Sequence, residues 1–188
     1  MKNVEKEKVV LSNINTILHG SKVHLRLITI DDCTEKYVNW LNDPEVNTFL
    51  ETRWQEQSLA TIKQFVSTMI NDKNNYLFAI IENCSNQHIG NIKLGPINFI
   101  HSYADISYFI GQKDCWGNGY ASEAIRLLTN FGFKKLNLHK IRAGVYASNV
   151  ASQKTLEKSG YKFEAKFLRC LKNGDNWEDH FWYGIFNE

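Results

Sequence analysis

The sequence predicts a mixed α/β domain, and three observations carry this prediction. The chain has 188 residues, which is the usual size of one domain. It is 43% hydrophobic with a formal charge of only +2, so it has the material for a buried core and lacks the high charge of a disordered chain. Segments with strand and helix periodicity follow in the order β-α-α-β-β-β-α-β-α-β-β. This order predicts a central mixed sheet of about seven strands, largely antiparallel, with flanking helices.

The first half of the chain predicts one strand and two helices. Residues 23–30 (VHLRLITI) begin with the alternation of a strand. Asp31 or Asp32 can then cap a helix that reaches Leu41 and ends before Pro44, because the residue before proline avoids the helical region. A second helix is predicted over residues 58–71, where apolar residues form one stripe.

The second half predicts six strands around two helices. Short segments rich in β-branched and aromatic residues predict strands at 76–82, 88–94 and 104–110. A long amphipathic helix is expected at 120–135, a strand at 140–147 and a short helix at 149–158 that Gly160 ends. The last two strands, 161–171 and 180–186, flank a turn around residues 173–175.

Several function classes do not fit the composition. The N-terminal segment lacks the apolar stretch of a secretory signal, and the chain has no apolar run long enough to span a bilayer. A net charge of +2 argues against a nucleic-acid binder. Cys33, Cys84, Cys115 and Cys170 are widely spaced, which predicts free thiols without a metal site. We therefore expect a cytoplasmic protein with an N-terminal arm over residues 1–22 and one domain over residues 23–188.

The segment 110–125, IGQKDCWGNGYASEAI, is the most informative part of the chain. Glycines let main-chain N–H groups turn toward a ligand, and a helix start adds unpaired donors and the positive end of the helix dipole. This combination predicts a site for phosphate or pyrophosphate. A P-loop needs Lys and Ser or Thr where Tyr120-Ala121 stand, and a dinucleotide fingerprint needs a third glycine at Ser122. Both of those nucleotide motifs are therefore excluded.

The same segment resembles the acetyl-CoA site of the GNAT N-acetyltransferases, whose signature is Gln/Arg-x-x-Gly-x-Gly/Ala at the start of a long helix. The loop and the helix start match this signature, whereas Asp114 stands where the family commonly has Gln or Arg. The resemblance implies that acetyl-CoA is the cosubstrate and that its pyrophosphate binds main-chain N–H groups. The residues implied to contact it are Trp116, Gly117, Asn118, Gly119, Tyr120 and Ala121.

A second motif lies downstream, with YASNVAS at 146–152 and LEKSGY at 156–161. In the GNAT family the Asn that matches Asn149 lies beside the pantetheine arm, so Asn149 and Ser152 are implied cofactor contacts. The early segment WLNDPEV at 40–46 is similar to the branch that contains ribosomal-protein N-terminal and amino-sugar acetyltransferases. Together the motifs extend the resemblance over about residues 23–186 and imply the GNAT fold.

Acetyl transfer to an amine requires a proton acceptor, because an amine attacks a thioester only as the neutral base. Asp105 and Glu51 are the candidate bases; a water chain or the absence of a dedicated base are the alternatives. The family stabilises the oxyanion with a backbone N–H in its fourth strand, which the resemblance places at Phe109 or Ile110.

The departing thiolate can take a proton from a nearby hydroxyl. The tyrosine that some GNAT enzymes use for this purpose would fall at Leu156, which has no proton to give. Ser152 and Tyr108 are the predicted substitutes, and departure without an acid is the alternative.

The class of acceptor is predicted from the residues expected to line its cleft. In GNAT folds the segment that contains Glu51 and Arg53 forms one wall of the acceptor cleft. A Glu beside an Arg offers one group for an ammonium and one for a phosphate, which slightly favours an amino sugar or another small anionic amine over a protein N-terminus. A non-catalytic acyl-CoA sensor on the same fold is the alternative function, because of Leu156. A homodimer is compatible with the sequence.

Overall fold

The computed structural model describes residues 16–188, and its centre is one eight-stranded sheet. In chain order the strands are β1 (Ile17–His19), β2 (Val23–Leu27), β3 (Tyr76–Glu82), β4 (His88–Asn98), β5 (Tyr103–Ile110), β6 (Lys140–Tyr146), β7 (Lys162–Asn173) and β8 (Asn176–Phe186). Their order across the sheet is β1-β2-β3-β4-β5-β6-β8-β7. All neighbours are antiparallel except β5 and β6, which run parallel. The predicted mixed α/β fold is thereby confirmed.

Five α-helices accompany the sheet in the described chain. They are α1 (Glu35–Asn42), α2 (Pro44–Asn47), α3 (Leu59–Asn71), α4 (Tyr120–Lys134) and α5 (Val150–Lys158). Short 3-10 helices lie at Ile30–Asp32, Glu51–Trp54 and Lys113–Cys115. None of the helices within residues 16–188 combines the length and the apolar character that a membrane span requires.

Several details differ from the sequence-based expectation. The short helix α2 was not predicted, and β8 begins at Asn176 instead of residue 180. The sheet has eight strands instead of seven, because Ile17–His19 in the predicted arm pairs with β2 as an edge strand. A three-residue strand is too short to show a period in the sequence. Residues 1–15 of that arm lie outside the described residues. The predicted caps of the first helix, Asp31 and Asp32, do not hold the N-cap position. Thr34 stands there, without a side-chain capping hydrogen bond, and Asp32 instead accepts hydrogen bonds from Arg26 and from the Thr29 N–H.

Each face of the sheet covers a separate hydrophobic cluster. On one face α4 and α5 pack against the sheet, with Ile125, Leu128 and Leu156 fully buried. On the other face, α1, α2 and α3 cover Leu77 and Phe109. Side chains alternate between the faces along a strand, so neighbours in β5 point to opposite sides of the sheet. This alternation separates the predicted site residues described below.

Candidate active site

The sheet opens between β5 and β6. Within the described residues, the two strands are in register over three pairs only, the last of which is Asp105 with Arg142. Beyond that pair β5 continues to Ile110 and β6 continues along β8, without pairing with each other. We call the gap between residues 106–110 and 143–146 the β5–β6 opening.

The peptide groups of β5 that face this opening can be assigned from the ladder on the other side. The N–H of Gly111 donates to the Ile89 carbonyl at 2.8 Å. Because N–H directions alternate along a strand, the N–H of Phe109 points toward β4, and the N–H groups of Tyr108 and Ile110 point into the opening. Of the two predicted oxyanion donors, Ile110 therefore has the suitable direction. The side chain of Phe109 packs on the rings of Tyr37 and Trp40.

The glycine loop lies between the end of β5 and the start of α4. Gly117 and Gly119 have φ angles of 76° and 82°, a region that side chains with a Cβ rarely adopt. Among the atoms of residues 16–188, a Cβ at Gly117 would meet none within 4 Å, and one at Gly119 would meet only the Lys22 ammonium at 3.6 Å. The first N–H groups of α4 have no acceptor within the helix. The loop therefore offers an open, main-chain surface with donors, as an anion site requires.

A lysine that the sequence analysis did not single out contacts this loop. The Lys22 ammonium donates to the Asn118 carbonyl at 2.9 Å. Its segment is held at the start of α4 by Glu123, which accepts hydrogen bonds from the N–H groups of Ser21, Lys22 and Val23. Partial burial raises the pKa of Glu123, but these hydrogen bonds and that of the Ser21 hydroxyl outweigh it and lower the pKa. Lys22 thus places a side-chain cation beside the glycine loop.

The two aromatic residues that flank the glycines have separate partners. The Trp116 indole N–H donates to the Ile110 carbonyl at 2.8 Å, and the ring is 44% exposed. The Tyr120 hydroxyl donates to Glu82, and this hydrogen bond raises the tyrosine pKa to about 12. Trp116 therefore lies at the end of the opening, whereas Tyr120 fixes the first turn of α4. Ala121 follows in that turn and is partly exposed.

The two predicted hydroxyls meet on the face of α5. The Tyr108 hydroxyl lies 2.8 Å from the Ser152 Oγ. Burial raises the Tyr108 pKa to about 12, although the hydrogen bond with Ser152 opposes the shift. Asn149 caps α5 and accepts a hydrogen bond from the Ser152 N–H at 3.1 Å. Leu156, one turn further along the helix, is fully buried in the core.

The predicted bases lie on the opposite face, and both have partners. Asp105 accepts hydrogen bonds from Nε and Nη2 of Arg142, each at 2.8 Å. The guanidinium group of Arg142 lies between the rings of Tyr103 and Trp182. Asp105 is therefore one half of an ion pair whose other half is held by two aromatic rings.

Glu51 and Arg53 meet at the end of β6. Glu51 accepts a hydrogen bond from the Tyr146 hydroxyl at 2.5 Å, and a longer one from the Trp54 indole. Partial burial, together with Glu51, raises the Tyr146 pKa to about 12. The guanidinium group of Arg53 lies 4.8 Å from the Tyr146 ring centre and donates to the Lys172 carbonyl at 2.8 Å. The pair is thus connected to β6 through Tyr146, which the sequence analysis used only as part of a motif.

Comparison with known proteins assigns the chain to a family. The model of the acetyltransferase (GNAT) domain matches residues 22–162. The chain belongs to the GNAT acetyltransferase family, whose enzymes are acyltransferases.

Two relatives and one solved structure illustrate the similarity. The uncharacterized N-acetyltransferase YnaD of Bacillus subtilis is 34% identical over 98 residues, which are 50% of this chain and only 58% of YnaD. YoaA of the same organism is 31% identical over 161 residues, 84% of this chain and 90% of YoaA. The structure of spermidine N-acetyltransferase from Vibrio cholerae in complex with CoA and spermine has a similar fold. Its TM-score is 0.79 at 22% identity, with 89% of this chain and 97% of that chain covered.

Proposed function

We propose that the protein is an acetyl-CoA-dependent N-acetyltransferase that moves an acetyl group directly to a primary amine. The β5–β6 opening carries this proposal, because it joins a main-chain anion site at one end to a polar sheet face. Family membership supports acetyl-CoA as the cosubstrate. The proposal includes the branch that the segment at 40–46 resembles, which contains ribosomal-protein N-terminal and amino-sugar acetyltransferases.

The cofactor side of the site is the glycine loop, the start of α4 and the hydroxyl pair Tyr108–Ser152. The fit to CoA rests on the glycines, since the space where a Cβ would stand is open at Gly117. In our proposal the N–H groups of residues 117–122 bind the pyrophosphate and Lys22 adds a positive charge. Asn149 holds the start of α5 beside the pantetheine arm.

The chemistry of the transfer uses the edge of β5 and the hydroxyl pair. The Ile110 N–H faces the opening and stabilises the oxyanion of the tetrahedral intermediate. The Tyr108 hydroxyl, in contact with Ser152, gives a proton to the departing thiolate and regains one from the serine or from water. Two hydroxyls in contact replace the proton donor that Leu156 cannot be.

The acceptor side comprises Glu51, Arg53, Tyr146 and the Asp105–Arg142 pair. We propose that the acceptor is a small amine whose ammonium group binds near Glu51. Glu51 lines an open depression together with Thr52, Trp54, Gln55 and Gln57. The Vibrio cholerae structure contains a polyamine together with CoA, which supports a small cationic acceptor as well as the amino sugar favoured by Arg53.

The test is acetyl-CoA turnover with a panel of amines. The panel contains polyamines, amino sugars with and without phosphate, and peptides with free N-termini, and both CoA release and acetylated product are measured. We expect turnover with at least one small amine and none with its N-methylated quaternary form. Tight CoA binding without turnover of any amine would instead support the acyl-CoA sensor.

A further inference from the structure

Neither predicted base on the acceptor side is unengaged. Asp105 shares its charge with Arg142, and Glu51 accepts hydrogen bonds from Tyr146 and Trp54. An incoming ammonium group must compete with these protein donors for the same carboxylate oxygens. The acceptor side therefore contains two anions to attract an ammonium group, but it leaves open which group removes the proton.

A histidine on β8 lies at the position where such a group is needed. His180 pairs with Tyr146 across the sheet, and its Nε2 would be only 2.3 Å from a Cβ at Gly144. The imidazole thus lies directly over Gly144 of β6, two residues beyond Arg142, where the last β5–β6 pair ends. Gly144 is exposed, so this part of the sheet face is open to an incoming molecule. His180 accordingly lies at the rim of the β5–β6 opening, on the acceptor side.

The imidazole is held in place without using its nitrogens. Its ring packs on Trp182, with the ring centres 5.0 Å apart. Among the described residues, neither ring nitrogen of His180 makes a hydrogen bond. Both nitrogens are therefore available to a ligand, whereas Oδ1 of Asp105 and both carboxylate oxygens of Glu51 accept hydrogen bonds from protein partners.

The charged surroundings suit a proton acceptor. Burial lowers the pKa of His180, which leaves the ring neutral at pH 7, while the nearby Glu51 opposes this shift. The groups that share this face with the ring are Glu51, Tyr146 and, one step along β6, the Arg142–Asp105 pair. A neutral imidazole beside a carboxylate can accept a proton, and the carboxylate then stabilises the imidazolium ion.

We propose that His180 is the general base that deprotonates the acceptor ammonium group; this inference rests on the proposed acetyltransferase function. Its free ring nitrogen takes one proton from the ammonium group, and the neutral amine attacks the thioester carbonyl carbon. The new C–N bond forms as the carbonyl electrons move to the oxygen. The intermediate then collapses, the C–S bond breaks, and the Tyr108 hydroxyl protonates the departing thiolate. The second amine proton is lost to water, and Tyr108 regains a proton from the serine or from water. The imidazolium ion returns its proton to water.

The experiment measures kcat and kcat/KM of His180→Gln, with His101→Gln as the matched control on an exposed histidine in the β4–β5 connection. With a strongly basic amine we expect His180→Gln to lose about 10²- to 10⁴-fold in kcat, the usual contribution of a general base. CoA affinity stays within about twofold of the wild type, since His180 is not on the cofactor side. A fluorinated amine that is already neutral at pH 7 needs no base to deprotonate it. With such an amine we expect the loss in kcat to be smaller by at least about tenfold, which corresponds to one pKa unit. The fall of the wild-type kcat at acidic pH disappears in the variant.

A second variant tests position instead of identity. Gly144→Ala retains the imidazole but displaces it, so we expect a loss in the same direction, and the double variant loses no more than His180→Gln alone. The proposal is overturned if the kcat of His180→Gln lies within about threefold of the kcat of His101→Gln, because so small a difference does not indicate a lost catalytic group. A loss that is equal for basic and neutral amines would overturn it too, because a structural role produces that result. Absence of turnover in the wild type itself removes the proposed function, and this inference with it.

Discussion

The cofactor side and the acceptor side of the β5–β6 opening are built in different ways. On the cofactor side, consecutive residues of one loop and one helix start supply main-chain donors, and two positive φ angles set their direction. On the acceptor side, Glu51, Asp105 and His180 come from three distant segments. Each is placed beside β6 separately, Glu51 by Tyr146, Asp105 by Arg142 and His180 by the pairing of β8 with β6. A local sequence motif can therefore encode the main-chain donors of the first side, whereas Lys22 and the second side depend on the assembled sheet.

The largest effect that separates the two sides is expected from Gly119→Val. A β-branched residue at a φ of 82° costs about 1–3 kcal/mol of strain and moves the helix-start N–H groups. We expect CoA affinity to fall by about 100-fold, the upper end of that strain converted to binding. Calorimetry of CoA binding measures it.

Gly174→Val is the matched control for this variant. Gly174 also has a positive φ and open space around it, but it lies in the β7–β8 turn. It should lower stability by a similar amount and leave CoA affinity unchanged. An equal loss of affinity in both variants would show that general destabilisation, and not the loop, is responsible.

Glu51→Gln affects the acceptor side alone. Removing a charge-assisted hydrogen bond of about 1.5–3 kcal/mol raises the KM of a cationic acceptor by about 10- to 150-fold. CoA affinity does not change, because the hydrogen-bond partners of Glu51 among the described residues, Tyr146 and Trp54, are not part of the glycine loop. The exposed Glu56→Gln in the same segment is the control, and a similar KM increase in that variant would contradict the assignment of Glu51.

Arg53→Ala sharpens the identity of the acceptor. The Arg53 guanidinium already donates to the Lys172 carbonyl and packs on Tyr146, so part of its fork is in use. A phosphate-bearing amino sugar should lose about 1 kcal/mol of transition-state binding, or about fivefold in kcat/KM. A polyamine, which has no anion, should lose nothing. If both acceptors are unaffected, the preference for an anionic amine is wrong.

The smallest effect is expected at the hydroxyl pair. Ser152→Ala leaves the Tyr108 hydroxyl in place, so kcat should fall by only about threefold to tenfold, well below a full acid–base contribution. Tyr108→Phe should lower kcat further, because it removes the hydroxyl that the proposal assigns as the proton donor to the thiolate. A loss above about 1000-fold for Ser152→Ala would make the serine, and not the tyrosine, the proton donor.

For Leu156→Tyr, the structure adds an expected loss of stability to the expectation from the sequence. The sequence alone leads to the expectation that a tyrosine there leaves the rate unchanged or raises it. Leu156 is fully buried in the core between α5 and the sheet, so the larger side chain costs about 1–3 kcal/mol of stability. Thermal unfolding of the variant measures this cost, and an unchanged Tm would contradict the packing.

The sequence predicted the features that depend on local pattern and missed those that depend on contacts between distant segments. The period of α3, the strand at Tyr76–Glu82 and the start of α4 at Tyr120 were all predicted, because each depends on local pattern or on a glycine turn. The N-cap position of Thr34 was not predicted, because the predicted cap Asp32 accepts a hydrogen bond from Arg26 instead. His180 was missed as well, since only the pairing of β8 with β6 brings it over Gly144.

Hydrogen exchange of the backbone amides, followed with acetyl-CoA and then with a non-reactive amine added to CoA, tests the two-sided site most directly. The N–H groups at the start of α4 have no acceptor within the helix, so they exchange fast until a ligand covers them. We predict that acetyl-CoA protects residues 117–122 and the N–H groups of Tyr108 and Ile110, and that the amine then protects residues 51–54. Acetyl-CoA protecting residues 51–54 while leaving residues 117–122 unchanged would contradict the account.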